Sequence, residues 1–277
     1  MDWMFRLEHL GIKSISNIVD ITNLVMTQHG QPMHAFDADK IEGKFIIRQA
    51  QKGESLVALD GETYELTPDD TVVADEKKVL SVAGIMGGLE SGVTRETKNV
   101  VFECAHWNPT AIRLTSQRLG LRSDSSMRYE KSLNRKHCKR AILSATEKLL
   151  SCCDNPNIVS DLTDNYPQMP EVIRVHLNPD KVRCYAGTSI TEEFMLETLE
   201  HLGFIVKSEK IPWEVEVPSF RATKDIAIEE DLIEEIVRMY GFENLPSVLP
   251  TLPITPPPPN KLRQTEWAVR DFLAASK

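Results

Sequence analysis

Eight consecutive residues, Gly30-Gln31-Pro32-Met33-His34-Ala35-Phe36-Asp37, hold the densest mixture of chemistry in the chain. A histidine titrates near neutral pH and can serve as a general base or a hydrogen-bond donor. Loops that combine rigid backbone with titratable groups commonly bind or catalyse. A histidine that caps backbone is the alternative role for His34. A second candidate is Gly84-Ile85-Met86-Gly87-Gly88-Leu89, whose glycines let backbone approach a ligand closely and expose N–H groups. It lacks the lysine of a P-loop and the spacing of a dinucleotide fingerprint. A turn that needs positive φ would use the same glycines. The third is Glu103, in Val100–Ala105, where alternation puts Val101, Glu103 and Ala105 on one strand face. A lone carboxylate among apolar neighbours is costly without a partner. It awaits a ligand's hydroxyl or amine, or it makes a salt bridge or sits at an edge. The fourth is the acidic group Asp225, Asp231, Glu234 and Glu235. Positions 231, 234 and 235 share a helix face, with Leu232, Ile233, Ile236 and Val237 toward the core. Oxygen ligands of this kind suit Mg²⁺, and a solvated acidic face would use the same residues.

These residues must be positioned by local elements. Residues 14–29 read as a helix stopped by Gly30, followed by the Gln-Pro-Met-His loop. Lys44–Ala50 and Ser55–Leu59 read as strands, with Asp60-Gly61 as a hairpin turn before Glu62–Leu66. Thr71–Ala74, Val79–Ala83 and Asn99–Ala105 read as further strands. Asn108-Pro109 opens a helix that Gly120 closes, and a second helix is expected from about Met127 to Leu150. Residues 154–172 are polar and proline-bearing and read as a linker. Beyond them, Asn178 or Asp180 starts a short helix, and Thr191 caps another that stops at Gly203. Phe204–Val206 and Glu214–Val217 form a small hairpin, and a helix spans 226–240. Residues 246–259 are a stiff proline-rich spacer, and an amphipathic helix begins at 260, as if a third domain opened there. The fold class is α+β (mixed α/β), with 1–155 as one domain, 156–170 as linker, 171–246 as a second domain and 247–277 as spacer and truncated start of a third.

Composition narrows the class. The chain is 41% hydrophobic and 26% charged, ordinary globular values with length enough for two cores. No apolar run approaches the ~20 residues of a membrane span, and charges interrupt any signal-peptide core in the first ten residues. Five cysteines without metal spacing suggest reduced thiols in a cytoplasmic protein. The net charge is −9, yet residues 113–140 hold nine Lys/Arg against two Asp/Glu. Such a segment is either a phosphate-facing patch or a solvated helix face. No G-x-S-x-G, HExxH or CxxC motif is present, and no acidic pair has a glycosidase context, so hydrolysis by those routes is unsupported.

Several motifs in order resemble a known family. Asp20-Ile-Thr-Asn-Leu-Val-Met, the Gly30–Asp37 stretch, Ala83-Gly-Ile-Met-Gly-Gly, Val101-Phe-Glu-Cys-Ala and Arg128-Tyr-Glu-Lys are similar to the editing module, B3/B4, of the bacterial phenylalanyl-tRNA synthetase β subunit. Val217-Pro-Ser-Phe-Arg and the stretch from Glu230 to Phe242 resemble the B5 domain that follows it, a small winged-helix-like fold. The resemblance covers nearly the whole chain.

It implies a fragment of a β subunit that would carry further domains before residue 1 and after 277. The α subunit holds the aminoacylation site, so ATP is used only by the whole α2β2 enzyme, which is cytoplasmic. The implied activity is hydrolysis of mischarged Tyr-tRNA(Phe). The alternative is a noncatalytic scaffold that docks tRNA(Phe) and braces the α subunit; a DNA-binding regulator would rest on the winged-helix likeness alone, and the acidity argues against it. Carried over by motif, His34 and Glu103 are the catalytic candidates, with Pro32, Gly87, Ser123 and Ser125 as substrate-binding residues. The family commonly has Thr-x-Ala where this chain has Ser123-Asp124-Ser125. Asp225, Asp231, Glu234 and Glu235 match positions used for Mg²⁺ at the α-subunit contact, a site expected to be incomplete in this chain alone. Glu103 would accept a hydrogen bond from the tyrosine hydroxyl, which phenylalanine lacks. Backbone N–H groups near Gly87 would help stabilise the oxyanion.

Overall fold

The computed structural model describes residues 2–167, 169, 171–249 and 251–276. Two helices open the chain, α1 (Asp2–His9) and α2 (Asn17–His29). Ser16 caps α2 through its side chain, and Gly30 ends it in the left-handed region (φ 69°), with its N–H bonded to the Met26 carbonyl. The chain then runs extended as β1 (His34–Asp37), where a loop was expected. The reason is a distant partner. β1 pairs antiparallel with β8 (Val100–Glu103), His34 opposite Glu103 and Asp37 opposite Val100.

Between those strands lie β2 (Ile46–Gln49), β3 (Ser55–Val57), β4 (Thr63–Glu65), β5 (Thr71–Ala74), β6 (Val79–Val82) and β7 (Met86–Gly87). They form a four-stranded sheet in the order β2-β5-β6-β7 and the separate hairpin β3-β4. Val72, Val73, Ala74, Leu80 and Val82 are fully enclosed, and they share a core with Phe36, Trp107 and Tyr129. Asp70 is buried at the edge of this core. Its carboxylate accepts from the Thr67 N–H (2.7 Å) and Thr115 Oγ1 (2.8 Å) and pairs with Arg118.

Three helices follow, α3 (Pro109–Leu119), α4 (Asp124–Tyr129) and α5 (His137–Cys152). Asn108 caps α3 and Pro109 occupies its first turn, as the sequence predicts. The single helix expected over 127–150 is instead two. A capping box, in which Ser123 accepts from the Ser126 N–H (3.1 Å) and Ser126 Oγ accepts from the Ser123 N–H (3.0 Å), starts α4 three residues early. Ser132, at φ 69°, then breaks the helical run before α5. Helix α5 packs on α2 through Ala141 and Ala145 against Ile21 and Val25.

The second unit has its own core. β9 (Arg174–Leu177), β10 (Ile205–Lys207) and β11 (Trp213–Glu216) form a sheet in the order β10-β11-β9. Helices α6 (Pro179–Ala186), α7 (Glu192–His201) and α8 (Glu229–Tyr240) cover it around the buried Trp213, Leu177, Leu199 and Ile236. The hairpin and all three helices were expected; β9 was not. A final helix, α9 (Lys261–Ala275), is exposed along its length. The mixture of helices with small antiparallel sheets is the α+β class. Among the described residues no helix is long and apolar enough to cross a membrane.

Candidate functional site

A cavity of about 480 Å³ opens between α2, the β1–β8 ribbon, the β6–β7 turn and the start of α4. His34, Gly87, Glu103, Ser123 and Ser125 all line it, so residues far apart in sequence converge on one space. The β1–β8 register accounts for the central pair. Directly opposed residues project to the same face of a ribbon, so His34 and Glu103 stand side by side.

Glu103 accepts no hydrogen bond and makes no ion pair among the described residues. Burial alone pushes its carboxyl up to about 7, from an ordinary value of 4.5. His34 is displaced the other way, to about 4, also by burial. Its ring stands edge-on to Phe36 with centroids 4.5 Å apart. Nε2 is enclosed and has no hydrogen-bond partner among the described residues. It is enclosed by Gly87: a Cβ built on that glycine would lie 2.7 Å from Nε2 and 3.1 Å from Leu59 Cδ1. The glycine at 87 therefore leaves the space that the imidazole fills. With a pKa of about 4, the imidazole is neutral at physiological pH, a weak base that can orient a group by hydrogen bonding.

The backbone around the glycine turn is largely committed. The Gly88 N–H donates to the Leu80 carbonyl (2.8 Å), and the Gly87 carbonyl accepts from the Leu59 N–H (3.0 Å). Gly88 thus has no N–H to offer an oxyanion.

Pro32 does not line the cavity. It is buried beside it, and its carbonyl accepts from Tyr129 Oη (2.9 Å) and Gln31 Nε2 (3.1 Å). Gln31 Nε2 also donates to the Ala105 carbonyl (3.1 Å) and to Tyr129 Oη (3.2 Å). Gln31 and Tyr129 thereby tie the 31–33 segment to the end of β8 and to α4. Neither was singled out from the sequence, although Tyr129 lies within the Arg-Tyr-Glu-Lys motif. Ser123 spends its hydroxyl on the Ile85 carbonyl (2.7 Å) as well as on the α4 cap, while Ser125 lines the cavity with no hydrogen-bond partner among the described residues. Asn23, from α2, and Trp107 were also missed and line the same space. An Asn inside a helix and a Trp after a strand carry no periodic signal that separates a cavity wall from a core.

The acidic group of the second unit behaves differently. Asp225 pairs with Arg221, and Glu235 is buried and held by Arg221 (2.9 Å) and Arg238 (2.6 Å). The arginines hold the Glu235 carboxyl below its usual range. Asp231 caps α8 by accepting from the Ala227 (2.7 Å) and Ile228 (2.9 Å) N–H groups. Glu234 is exposed. Of the face shared by 231, 234 and 235, Glu235 is buried and neutralised by two arginines, while Glu234 stays exposed. Among the described residues no group of three or more His, Cys, Asp or Glu is placed to hold a metal ion. As placed, these four side chains do not fit Mg²⁺, since Arg221 occupies the position a cation would take between Asp225 and Glu235.

Comparison with known proteins agrees with this architecture. Residues 2–154 match the B3/4 domain family, and residues 175–242 match the tRNA synthetase B5 domain. The phenylalanine--tRNA ligase beta subunit of Vibrio parahaemolyticus is 43% identical over 249 residues, covering 90% of this chain and 31% of that protein. That of Neisseria meningitidis is 44% identical over 246 residues, 88% of this chain and 31% of that protein. The Vibrio cholerae protein aligns over 98% of this chain and 34% of its own length at 38% identity. The chain spans about a third of the length of these relatives. An N-terminal fragment of the phenylalanyl-tRNA synthetase beta-subunit from Pyrococcus horikoshii has a TM-score of 0.41 at 18% identity, covering 81% of this chain and 65% of that one. The chain belongs to the B3/4 domain family, joined to a B5 domain, and is part of a phenylalanine--tRNA ligase beta subunit.

Proposed function

We propose that the cavity hydrolyses tyrosine wrongly esterified to tRNA(Phe), as the editing site of a phenylalanine--tRNA ligase whose α subunit, ATP-dependent chemistry and Mg²⁺ requirement belong to the whole cytoplasmic assembly. The observation that carries the reading is the unpartnered Glu103 carboxylate on the cavity wall beside His34. A carboxyl near pKa 7 is poised to ionise when a hydroxyl donates to it. Tyrosine supplies that hydroxyl, and phenylalanine would leave the carboxylate as it stands, unsatisfied. A hydrogen bond to a charged group contributes about 1.5–3 kcal/mol, so this contact alone separates the two amino acids by roughly 10- to 150-fold.

In hydrolysis, water adds to the ester carbonyl, the bond to the ribose oxygen breaks, and that oxygen takes a proton. Neutral His34 orients the ester or the water, and the neighbouring ribose hydroxyl can take part in the proton transfer. The Gly87 turn shapes this end of the site by admitting the imidazole. Ser125 and Ser123 form the wall at α4. The test is deacylation of tyrosyl-tRNA(Phe) and phenylalanyl-tRNA(Phe) by the assembled enzyme. Glu103→Gln is expected to reduce the preference for the tyrosyl ester at least about tenfold, and His34→Ala to slow its cleavage. Unchanged preference in the first variant and unchanged rate in the second would refute the assignment and leave the scaffold role.

A further inference from the structure

We propose that the helix face formed by Lys136, Arg140, Ser144 and Lys148, with His29 beside it, docks the phosphate backbone of the RNA that carries the substrate. The four positions are successive i, i+4 neighbours on and just before α5, so they form one stripe along the helix. At 1.5 Å rise per residue the stripe advances about 6 Å per step, a line of cations rather than a single anion pocket. Ser144 Oγ joins its far end to α2: it meets Lys148 Nζ at 2.9 Å and His29 Nε2 at 3.1 Å. The charges of Arg140, Lys148 and His137 all bear on the His29 ring, which places the basic groups of both helices together.

This crowd lacks counter-ions. Elsewhere in the basic segment Arg118 pairs with Asp70, Arg128 with Asp124 and Lys131 with Glu130, while Arg113, Arg122 and Arg135 make no ion pair among the described residues. Lys136, Lys139, Arg140 and Lys148 make no ion pair among the described residues, and the first three are exposed. Glu147 is the one acidic residue of α5. Like charges held together without acids repel one another, and a polyanion lying along them relieves that repulsion and releases its own counterions. The chain as a whole carries −9, so RNA must approach over a local positive surface of this kind.

The proposal rests on the RNA-borne substrate of the reading above, and two measurements separate them. The first is fluorescence anisotropy of labelled tRNA against the 277-residue chain over a range of KCl concentrations. Each phosphate contact contributes a slope of about 0.7–0.9 in log K against log salt. The variant Lys136→Gln/Arg140→Gln/Lys148→Gln is expected to flatten the slope by about 2 and to weaken binding at least about tenfold at low salt. Lys136→Arg/Lys148→Arg is expected to retain the wild-type slope. The second measurement is cleavage of the tyrosyl ester of adenosine, which has no phosphate backbone and should be cleaved equally by wild type and the triple variant. Coincident slopes in wild type and the triple variant overturn the docking surface, whatever the ester shows. A flattened slope with no ester cleavage by the wild type supports the surface and counts against the editing reading.

Discussion

Replacing Glu103 by glutamine tests the physical basis of the site without any substrate. The carboxyl is displaced from 4.5 to about 7 by burial. At 1.36 kcal/mol per pH unit, that displacement corresponds to about 3 kcal/mol. The sign follows from proton uptake. The folded state holds this proton more tightly than the unfolded chain, so the contribution is fully present below pH 4.5. It is lost as pH rises through about 7. Glutamine does not titrate, so the variant lacks this loss. Because Glu103 keeps some exposure to the cavity, the expected effect is about 1–3 kcal/mol. The assay is urea unfolding at pH 4.5 and pH 8.5, with pulsed hydrogen exchange and mass spectrometry following the β1–β8 ribbon separately from the second unit. The wild type should lose that much more stability than Glu103→Gln between the two pH values. An identical loss in both proteins would show that the carboxylate is solvated or paired, and Glu103 would then be no hydroxyl-reading group.

His34 should show the mirror image. Its pKa is depressed to about 4, so its contribution is present above pH 6.5 and lost as pH falls toward 4, and His34→Asn should remove up to about 3 kcal/mol of that loss in the same unfolding assay. Gly87→Ala should displace the imidazole, because the new methyl would lie 2.7 Å from Nε2; a cost of about 1–3 kcal/mol and a shifted His34 ring resonance in NMR are expected, and an unmoved ring would refute the fit. Asp70→Ala should destabilise the first unit by about 1–3 kcal/mol, since it leaves the Thr67 and Thr115 donors without their acceptor while the half-exposed Arg118 turns to water; calorimetry should show the second unit's transition unchanged.

The sequence made the local elements legible where a chemical signal marks their ends. Ser16 and Gly30 bracket α2, Asn108-Pro109 and Gly120 bracket α3, and Thr191 starts α7. It was less informative where a long-range partner decides. The Gly30–Asp37 stretch reads as loop because proline and histidine outweigh a weak alternating pattern, yet β8 makes His34–Asp37 a strand. The start of α4 is set by a serine capping box and the break before α5 by Ser132 in the left-handed region, signals that compete with periodicity. At the site, Glu103 is visible from sequence because a lone carboxylate among valines demands an explanation. Gln31 and Tyr129 are not, because hydrogen bonds to the carbonyl of Pro32 leave no trace in residue spacing. The acidic residues Asp225, Asp231, Glu234 and Glu235 show the opposite failure. Their spacing suggests a shared ligand set, but Arg221 lies outside the helical pattern and claims two of them.

The β1–β8 ribbon also has a consequence for how the protein is made. The β3–β4 hairpin closes across residues 58–62, whereas β1 can meet β8 only after all of 38–99 has been enclosed. By the logarithmic cost of loop closure, that step is about 2 kcal/mol more demanding than the hairpin. On a chain emerging from the ribosome, His34 waits in the open until Glu103 arrives, with the intervening sheet already able to form. The pair that faces the cavity is then among the last contacts to close and among the first to open, so a folding defect anywhere in the intervening segment reaches the site before it reaches the bulk of the unit.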